Sequence, residues 1–371
     1  MPRSWEPLPP LRILLLYAQG ESQSTLSYQV GWPRSFQESP LFDCVPVNLA
    51  AGGPLDRWRR VRRIGRGDFQ AVVVLHSVFS NANYLGGRTF EAVRRLRAPK
   101  AMFVGNEYKL MPEKMRFCED LGVRLLITMN PDERAQQLYR DHLHCVVACI
   151  PSAGLDPVLF TPRTPRLERP IDIGYRALAS PLYLGHDERR EIAERFQKEG
   201  PARGLVADIS LNAKDRFDEA GWAAFLNRCK AQLGTEAGGG FFELTDNTRR
   251  RVIAFEEERP GATIAEVRER FFNAYIEPVP VWTISGRHVE AAATRTAQLL
   301  FPGRYNDYFR ADEHYIPVRK DFSNLDEAFA KLADPVYTER ITENACRVAN
   351  EELTYPRLLQ RFRAALEHVL G

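Results

Sequence analysis

Long apolar runs are missing from this chain, and so is any paired-cysteine spacing. No stretch of eighteen apolar residues occurs, which removes a membrane-spanning helix. The six cysteines, Cys44, Cys118, Cys145, Cys149, Cys229 and Cys346, include no C-x-x-C pair, so zinc ribbons and thioredoxin-like chemistry have no foothold. Cys145 and Cys149 do follow His142 and His144 in "HLHCVVAC". A metal cluster there competes with a simpler reading, in which "CVVACI" is a buried strand and its thiols act as small hydrophobes. The N-terminus has a proline-broken start and a short apolar strand instead of a secretory leader. Scattered thiols and that start lead us to expect a cytoplasmic protein.

Charge of one sign is also scarce. The net charge is only +3 over 371 residues, too small for a dedicated nucleic-acid binder, so we expect no nucleic-acid partner. The surplus is uneven, however, because residues 1–150 hold 20 Lys and Arg against 14 Asp and Glu. Six arginines lie between Arg57 and Arg66 in "DRWRRVRRIGR". A solvated helix face accounts for them, and so does peripheral contact with an anionic membrane.

The common catalytic signatures are absent as well. The loop after the first apolar strand reads "AQGESQSTLSYQVG" and carries no G-x-G-x-x-G, which takes away the main support for a nicotinamide-dependent dehydrogenase. There is no G-x-x-x-x-G-K-[ST] and no G-x-S-x-G, so P-loop and α/β-hydrolase chemistry are excluded. No D-x-D stands at a strand end, which argues against a metal-bridged diphosphate and predicts a metal-free site.

What is present is rhythm. "LRILLLYA", "CVPVNLA", "AVVVLHSVF", "KAMFVGN", "RLLITMN" and "CVVACIP" are short apolar runs separated by helical stretches such as "GGRTFEAVRRLRA" and "DERAQQLYRDHL". Continuous apolar strands alternating with helices predict a parallel sheet covered on both faces. The proline-rich stretch "PSAGLDPVLFTPRTPRLERP" reads as a linker. After it the alternation restarts with "IDIGYRAL", "GLVADIS" and "AQLG", followed by the approach "VPVWTI" and an Ala-rich helix. The expected fold class is α/β, with two Rossmann-like doubly wound domains facing a central cleft. The predicted bounds are an N-terminal acceptor-binding domain over 1–165 and a C-terminal nucleotide-sugar-binding domain over 166–345. A charged, helical insertion is expected near 241–283, and a C-terminal helix over 346–371 is expected to pack back on the first domain.

Within the second half, a strand "RCKAQLG" precedes Ser285, Arg287, Glu290 and Ala291 in an S-x-R-x-x-E-A arrangement. "HYIPVRKDFSNLDEAFAKLAD" and "ANEELTYPRLLQRF" follow in order. Together with "NEYKLMPEKMRFCEDLGVRLLITMN" and "LYRDHLHCVVACIPSAGLDPVLFTP" in the first half, this order resembles the GT-B glycosyltransferases of group 1, most closely their spore-maturation CgeB-like branch. The resemblance spans most of residues 70–371. It implies transfer of a sugar from a nucleotide-diphosphate sugar, with no other cofactor and with retention at the anomeric carbon, to a glycan, lipid-linked or small-molecule acceptor. It also implies that Glu290 binds the ribose hydroxyls while the helix amino end cradles the diphosphate. A carboxylate that accepts two hydroxyls beside free N–H groups suits that task.

The family's second glutamate, eight positions before the first, is replaced here by Trp282. "GTEAGGG" at 234–240 resembles the displaced half of that motif. Glu236 and the Gly238–Gly240 backbone then either face the donor sugar or form an ordinary glycine-rich turn. Tyr175, Arg176, His288 and Thr294 complete the expected donor set with Arg287, and Lys214 and Arg216 are further cations for the departing diphosphate. On the acceptor side His76 closes the third apolar strand, at the carboxyl edge where such sheets bind ligands. Asn106, Glu107, Tyr108 and Lys109 crowd the end of the fourth in "GNEYK". His76, Glu107 and Glu236 are the catalytic candidates. A non-hydrolysing sugar-nucleotide epimerase and a non-catalytic two-lobed binding protein are the competing readings.

Overall fold

The structure, a computed structural model, describes residues 9–20, 27–275 and 277–370. The part of the first loop spanning 21–26 and the side chain of Arg57 lie outside that description. Among the described residues, eleven strands form two sheets. The first contains β1 (Leu11–Tyr17), β2 (Phe42–Asn48), β3 (Ala71–Val74), β4 (Lys100–Phe103), β5 (Val123–Thr128) and β6 (Val146–Cys149), in the order β2-β1-β3-β4-β5-β6. Every pairing is parallel. All four residues of β3, "AVVV", are buried, as a strand covered on both faces requires.

The second sheet joins β7 (Ile171–Arg176), β8 (Ala207–Ser210), β9 (Cys229–Gly234), β10 (Ala297–Leu300) and β11 (Ile316–Pro317) in the order β11-β10-β9-β7-β8. Its pairings are also parallel. Strand order therefore reverses within each sheet, and ligands of such sheets sit at the carboxyl ends beside that reversal.

Two expectations need correction. The "CVVACI" strand is not buried: β6 is the outermost strand of its sheet, and Val146 keeps 39% of its surface exposed. "VPVWTI" joins neither sheet. It pairs antiparallel with residues 237–242, through Ala237 N to Thr283 O and Thr283 N to Ala237 O, both at 2.9 Å. Gly238 sits at φ +88°, and a Cβ there would lie 1.9 Å from Val281 O, so only glycine fits this ribbon.

The segment between the two ribbon strands contains helices Asn247–Glu258 and Ile264–Val267 and a wider helical turn, Arg268–Phe272. These close a small core of Val252, Phe255, Val267 and Phe271. The ribbon and this segment together grip the first domain. Phe242 and Val281 pack into its core, and Arg250 Nη2 donates to Glu113 Oε1 at 2.6 Å. The last helix, Tyr355–Leu370, lies on the first sheet beside Ser27–Glu38, burying Leu358, Leu359, Phe362 and Leu366 against Trp32 and Phe36. Each such side chain contributes about 1.5–3 kcal/mol of burial, so the chain's end fastens its beginning. Among the described residues, no helix is long and apolar enough to cross a membrane.

Candidate functional site

Between the sheets, at their carboxyl edges, lies a cleft with a cavity of about 320 Å³. The helix Gly286–Ala293 points its amino end into it. Ser285 sits extended before the helix and receives its first turn, while Ser285 N donates back to His288 Nδ1 at 3.1 Å. Gly286 is small for a local reason: a Cβ there would stand 3.1 Å from Ala153 Cβ and 3.4 Å from Glu290 Oε1.

Glu290 is buried in the cleft wall. Its Oε1 accepts from Ser27 Oγ, across the domain boundary, and its Oε2 accepts from Trp222 Nε1 at 2.7 Å. Burial raises its pKa, and the Ser27 and Trp222 bonds and the Arg287 charge offset that only in part. Arg287 is half-buried, donates to Arg176 O at 2.9 Å and stands over the Tyr175 ring.

The cations of this wall are not equivalent. Arg176 lines the cleft but commits four of its five N–H donors, to Asp208 Oδ1 at 2.7 Å, Asp208 O at 2.8 Å, Tyr175 O at 3.0 Å and Asp215 O at 3.1 Å. Arg216 lines the cleft from an exposed position. Lys214 is exposed and does not line it. Arg189, in the first turn of helix Glu188–Ala202, reaches the cleft, and its Nε is buried with no hydrogen-bond partner among the described residues. In the sequence it sits inside "DERREIAERF", which reads as a solvated charged face, and nothing there separates it from Arg190.

Three expected donor ligands are not brought to the cleft. His288 is buried against Tyr305 at 5.0 Å and closes the helix start; burial first, then Arg287, hold its pKa down to about 3. Thr294 ends the helix, about 12 Å along its axis from the amino end, and bonds to Glu290 O and Thr296 Oγ1. Tyr175 is core, beneath Arg287, with its hydroxyl buried.

Glu236 faces away too. Side chains alternate along the ribbon, so Ala237, Val281 and Thr283 line the central cleft while Glu236 and Trp282 line a separate cavity of about 250 Å³. There Glu236 Oε1 accepts from Tyr305 N at 2.7 Å, and burial raises its pKa. Gly238 lines the cleft with its backbone and gives its carbonyl to His186 Nε2 at 2.8 Å.

The opposite wall comes from the first sheet. His76 opens a short 3₁₀ turn at the end of β3, and burial lowers its pKa to about 4. It is therefore neutral at neutral pH. Asn106 adopts φ +47° and donates to Ser80 Oγ at 2.9 Å and Asn81 Oδ1 at 3.0 Å. Tyr108 OH donates to Asn106 Oδ1 at 3.1 Å, and Lys109 Nζ, outside the cleft lining, donates to Asn81 Oδ1 at 3.0 Å. Lys114 holds this turn from behind, donating to Gly105 O at 2.5 Å and Asn106 O at 2.9 Å, and its pKa falls to about 7 through burial.

Glu107 lines the cleft, but both of its oxygens already accept hydrogen bonds. Thr128 Oγ1 and Tyr139 OH donate to Oε2 at 2.5 and 2.7 Å, and Met129 N donates to Oε1 at 2.7 Å. Burial is the main influence on its pKa and raises it. The carboxylate is a bracket between β4, β5 and helix Glu133–Leu143. Glu107→Ala is accordingly expected to cost about 3 kcal/mol in urea unfolding while nucleotide affinity stays within about twofold. Unchanged stability with lost activity would return Glu107 to the catalytic group.

Ser27, Trp222, Phe217 and Glu219 also line the cleft. Phe217 and Trp222 flank Phe225 at 5.1 and 5.7 Å, so an aromatic wall adjoins Glu290. Among the described residues, no three His, Cys, Asp or Glu side chains gather to hold a metal ion. The chemistry on offer is thus a buried carboxylate, a helix amino end, two uncommitted or partly committed arginines and a neutral imidazole across the gap.

No family model matches the chain, and no curated protein matches its sequence. Solved structures do. Sucrose-phosphate synthase from Thermosynechococcus elongatus superposes with a TM-score of 0.54 at 11% identity, over 97% of this chain and 99% of the other. HepE from Anabaena, in complex with UDP-glucose, gives 0.52 at 11% identity, over 96% and 100%. The N-terminal domain of Candida albicans trehalose-6-phosphate phosphatase gives 0.50 at 8% identity, over 98% of each. These likenesses show the fold: two parallel-sheet α/β domains in the GT-B arrangement.

Proposed function

We propose that the protein is a glycosyltransferase that moves a sugar from a nucleotide-diphosphate sugar to an acceptor hydroxyl, with no metal. The observation that carries this reading is the placement of Glu290. It is a buried carboxylate one turn inside a helix whose amino end opens on the cleft, with Arg287 and Arg189 beside it. Ribose hydroxyls would replace Ser27 and Trp222 as its donors, and the diphosphate would meet the helix amino end and the arginines. The HepE structure holding UDP-glucose in the same fold supports this choice of ligand. The Ser285, Arg287, Glu290, Ala291 arrangement supports the finer placement in the CgeB-like branch of group 1.

In the reaction, the bond from the anomeric carbon to the β-phosphate oxygen breaks, and its electron pair leaves with the diphosphate. The acceptor oxygen bonds to the same carbon and gives up its proton. His76, with its pKa near 4, is a weaker base than the departing phosphate, whose second pKa is about 6. The proton therefore goes to the phosphate oxygen, and His76 orients a hydroxyl as a neutral imidazole. Retention is the outcome the group-1 resemblance implies, and it suits a leaving group that collects the proton on its own face. Glu236 lines the second cavity, so this route assigns it no nucleophilic role.

The test is calorimetric titration with UDP, GDP, dTDP and CMP in the presence of EDTA, followed by assay of donor hydrolysis. One nucleoside diphosphate is expected to bind in the micromolar range, and turnover is expected to survive chelation. No nucleotide binding, or activity restored only by added Mg²⁺ or Mn²⁺, would overturn the reading.

A further inference from the structure

The positive surplus of the first domain is confined to one surface. Residues 54–97 contain ten arginines against Asp56, Asp68 and Glu91, a net of +7, whereas the rest of 1–150 carries ten basic and eleven acidic residues. These arginines sit on two helices that lie side by side on the first sheet, Pro54–Arg66 and Gly87–Arg94, and on the residues just after them. Ile64 and Val93 face the core. On the outer side, Leu55, Trp58, Arg59, Arg62 and Arg66 recur at helical spacing and are all exposed.

Two features distinguish this face from an ordinary solvated one. The first is that half of its arginines lack counterions: Arg59 pairs with Asp56 and Arg94 with Glu91, but Arg63, Arg66, Arg88, Arg95 and Arg97 form no ion pair among the described residues. The second is large apolar exposure in the same place. Leu55 is 72% exposed, Trp58 56% and Tyr84 42%. Arg62 stands 5.3 Å from the Trp58 ring centroid, so cation and aromatic are presented together. Water solvates arginines well but gains nothing from bare Trp and Leu. A bilayer interface satisfies both, since indole and phenol rings prefer the headgroup level and guanidinium groups take phosphates in bidentate fashion.

We propose that this face docks on an anionic phospholipid bilayer. Helix Pro54–Arg66 begins just after β2 ends, and Tyr84 follows β3, so the apolar residues belong to the carboxyl edge of the sheet, where the cleft opens. If the glycosyltransfer reading holds, docking presents the acceptor wall to the membrane and selects a lipid-borne acceptor. The docking itself does not depend on that reading.

The full-length protein is sedimented with vesicles of phosphatidylcholine alone and of phosphatidylcholine with one-third phosphatidylglycerol, in low and in high salt. Binding is expected only to the anionic vesicles and is expected to be lost in high salt. Arg62→Glu with Arg63→Glu and Arg66→Glu should weaken partition about a hundredfold, given the contribution of each basic residue at such a surface. Trp58→Ala should weaken it about tenfold. The melting temperature and nucleotide affinity of both variants should stay unchanged, which separates docking from folding and from donor binding. Failure to sediment with either vesicle would overturn the proposal, as would sedimentation untouched by the triple reversal. Equal capture by double-stranded DNA with no effect of Trp58→Ala would also overturn it, by marking the face as a polyanion site.

Discussion

Glu290→Ala is expected to raise the dissociation constant of the cognate nucleoside diphosphate about a hundredfold. Two hydroxyl hydrogen bonds to a buried carboxylate are each worth about 1.5–3 kcal/mol. Part of that is returned because Ser27 and Trp222 already serve the carboxylate before the ligand arrives. A net loss of about 2–3 kcal/mol remains, and each 1.4 kcal/mol is tenfold. The melting temperature should move little by comparison, since the orphaned Trp222 Nε1 is offset by removal of a desolvated charge. Glu290→Gln keeps the volume and one acceptor oxygen, so it should recover roughly half of the loss.

The same group sets a pH dependence. Burial raises the folded pKa of Glu290 above the ordinary carboxylate value, and only the ionised form accepts from two hydroxyls. Affinity is therefore full above that raised pKa and falls as the pH drops through it, starting at a higher pH than an exposed glutamate would give. In Glu290→Ala this acidic limb should vanish. A wild-type limb that persists in the variant, or an unchanged dissociation constant, would remove Glu290 from the ribose role.

Much of the architecture could be read from the chain before any coordinates. Runs such as "AVVV" and "LRILLLY" are apolar at nearly every residue, and only a strand covered on both faces tolerates that. The edge position of β6 escaped, because "CVVACI" looks as apolar as its central neighbours, and exposure is decided by which strand stands outermost. The cleft position of Glu290 was legible because Ser285, Gly286 and the small residues after it mark a helix start, whereas its partners Ser27 and Trp222 come from distant parts of the chain and were not. Glu236 could not be placed, because its facing depends on the register of an antiparallel ribbon closed by residues forty positions away. His288 illustrates the same limit on a smaller scale. It stands two residues from Glu290, yet helical rotation sends it to the core, where it closes the capping turn. Glu107 lay at the correct rim, but Thr128 at the end of β5, Met129 just after it and Tyr139 in the following helix donate to its oxygens, and no spacing rule reveals them.

Arg189 is the residue whose removal should cost most after Glu290. Arg189→Ala is expected to weaken nucleoside diphosphate binding by about tenfold to a hundredfold, the worth of one charge-assisted hydrogen bond to phosphate. Commitment separates the three arginines. Arg176 is tied to Asp208, and Arg287 is tied to Arg176 O, whereas Arg189 presents a buried Nε without a partner among the described residues. Its charge also bears on Arg287, whose pKa burial lowers first and Arg189 lowers further. A cluster of like charges held together without a ligand is unfavourable, and an arriving diphosphate relieves it. Arg189→Ala should therefore leave the melting temperature of the free protein unchanged or slightly raised, while shrinking the stabilisation that saturating nucleotide provides. Binding of the free nucleoside, which lacks phosphate, should be the same in both proteins. Arg189→Lys should restore only part of the affinity, because a single ammonium cannot grip two phosphate oxygens in the fork geometry of a guanidinium. Equal affinity of wild type and Arg189→Ala for the diphosphate would show that the anion lies elsewhere, and with it the departing charge that this wall is proposed to stabilise.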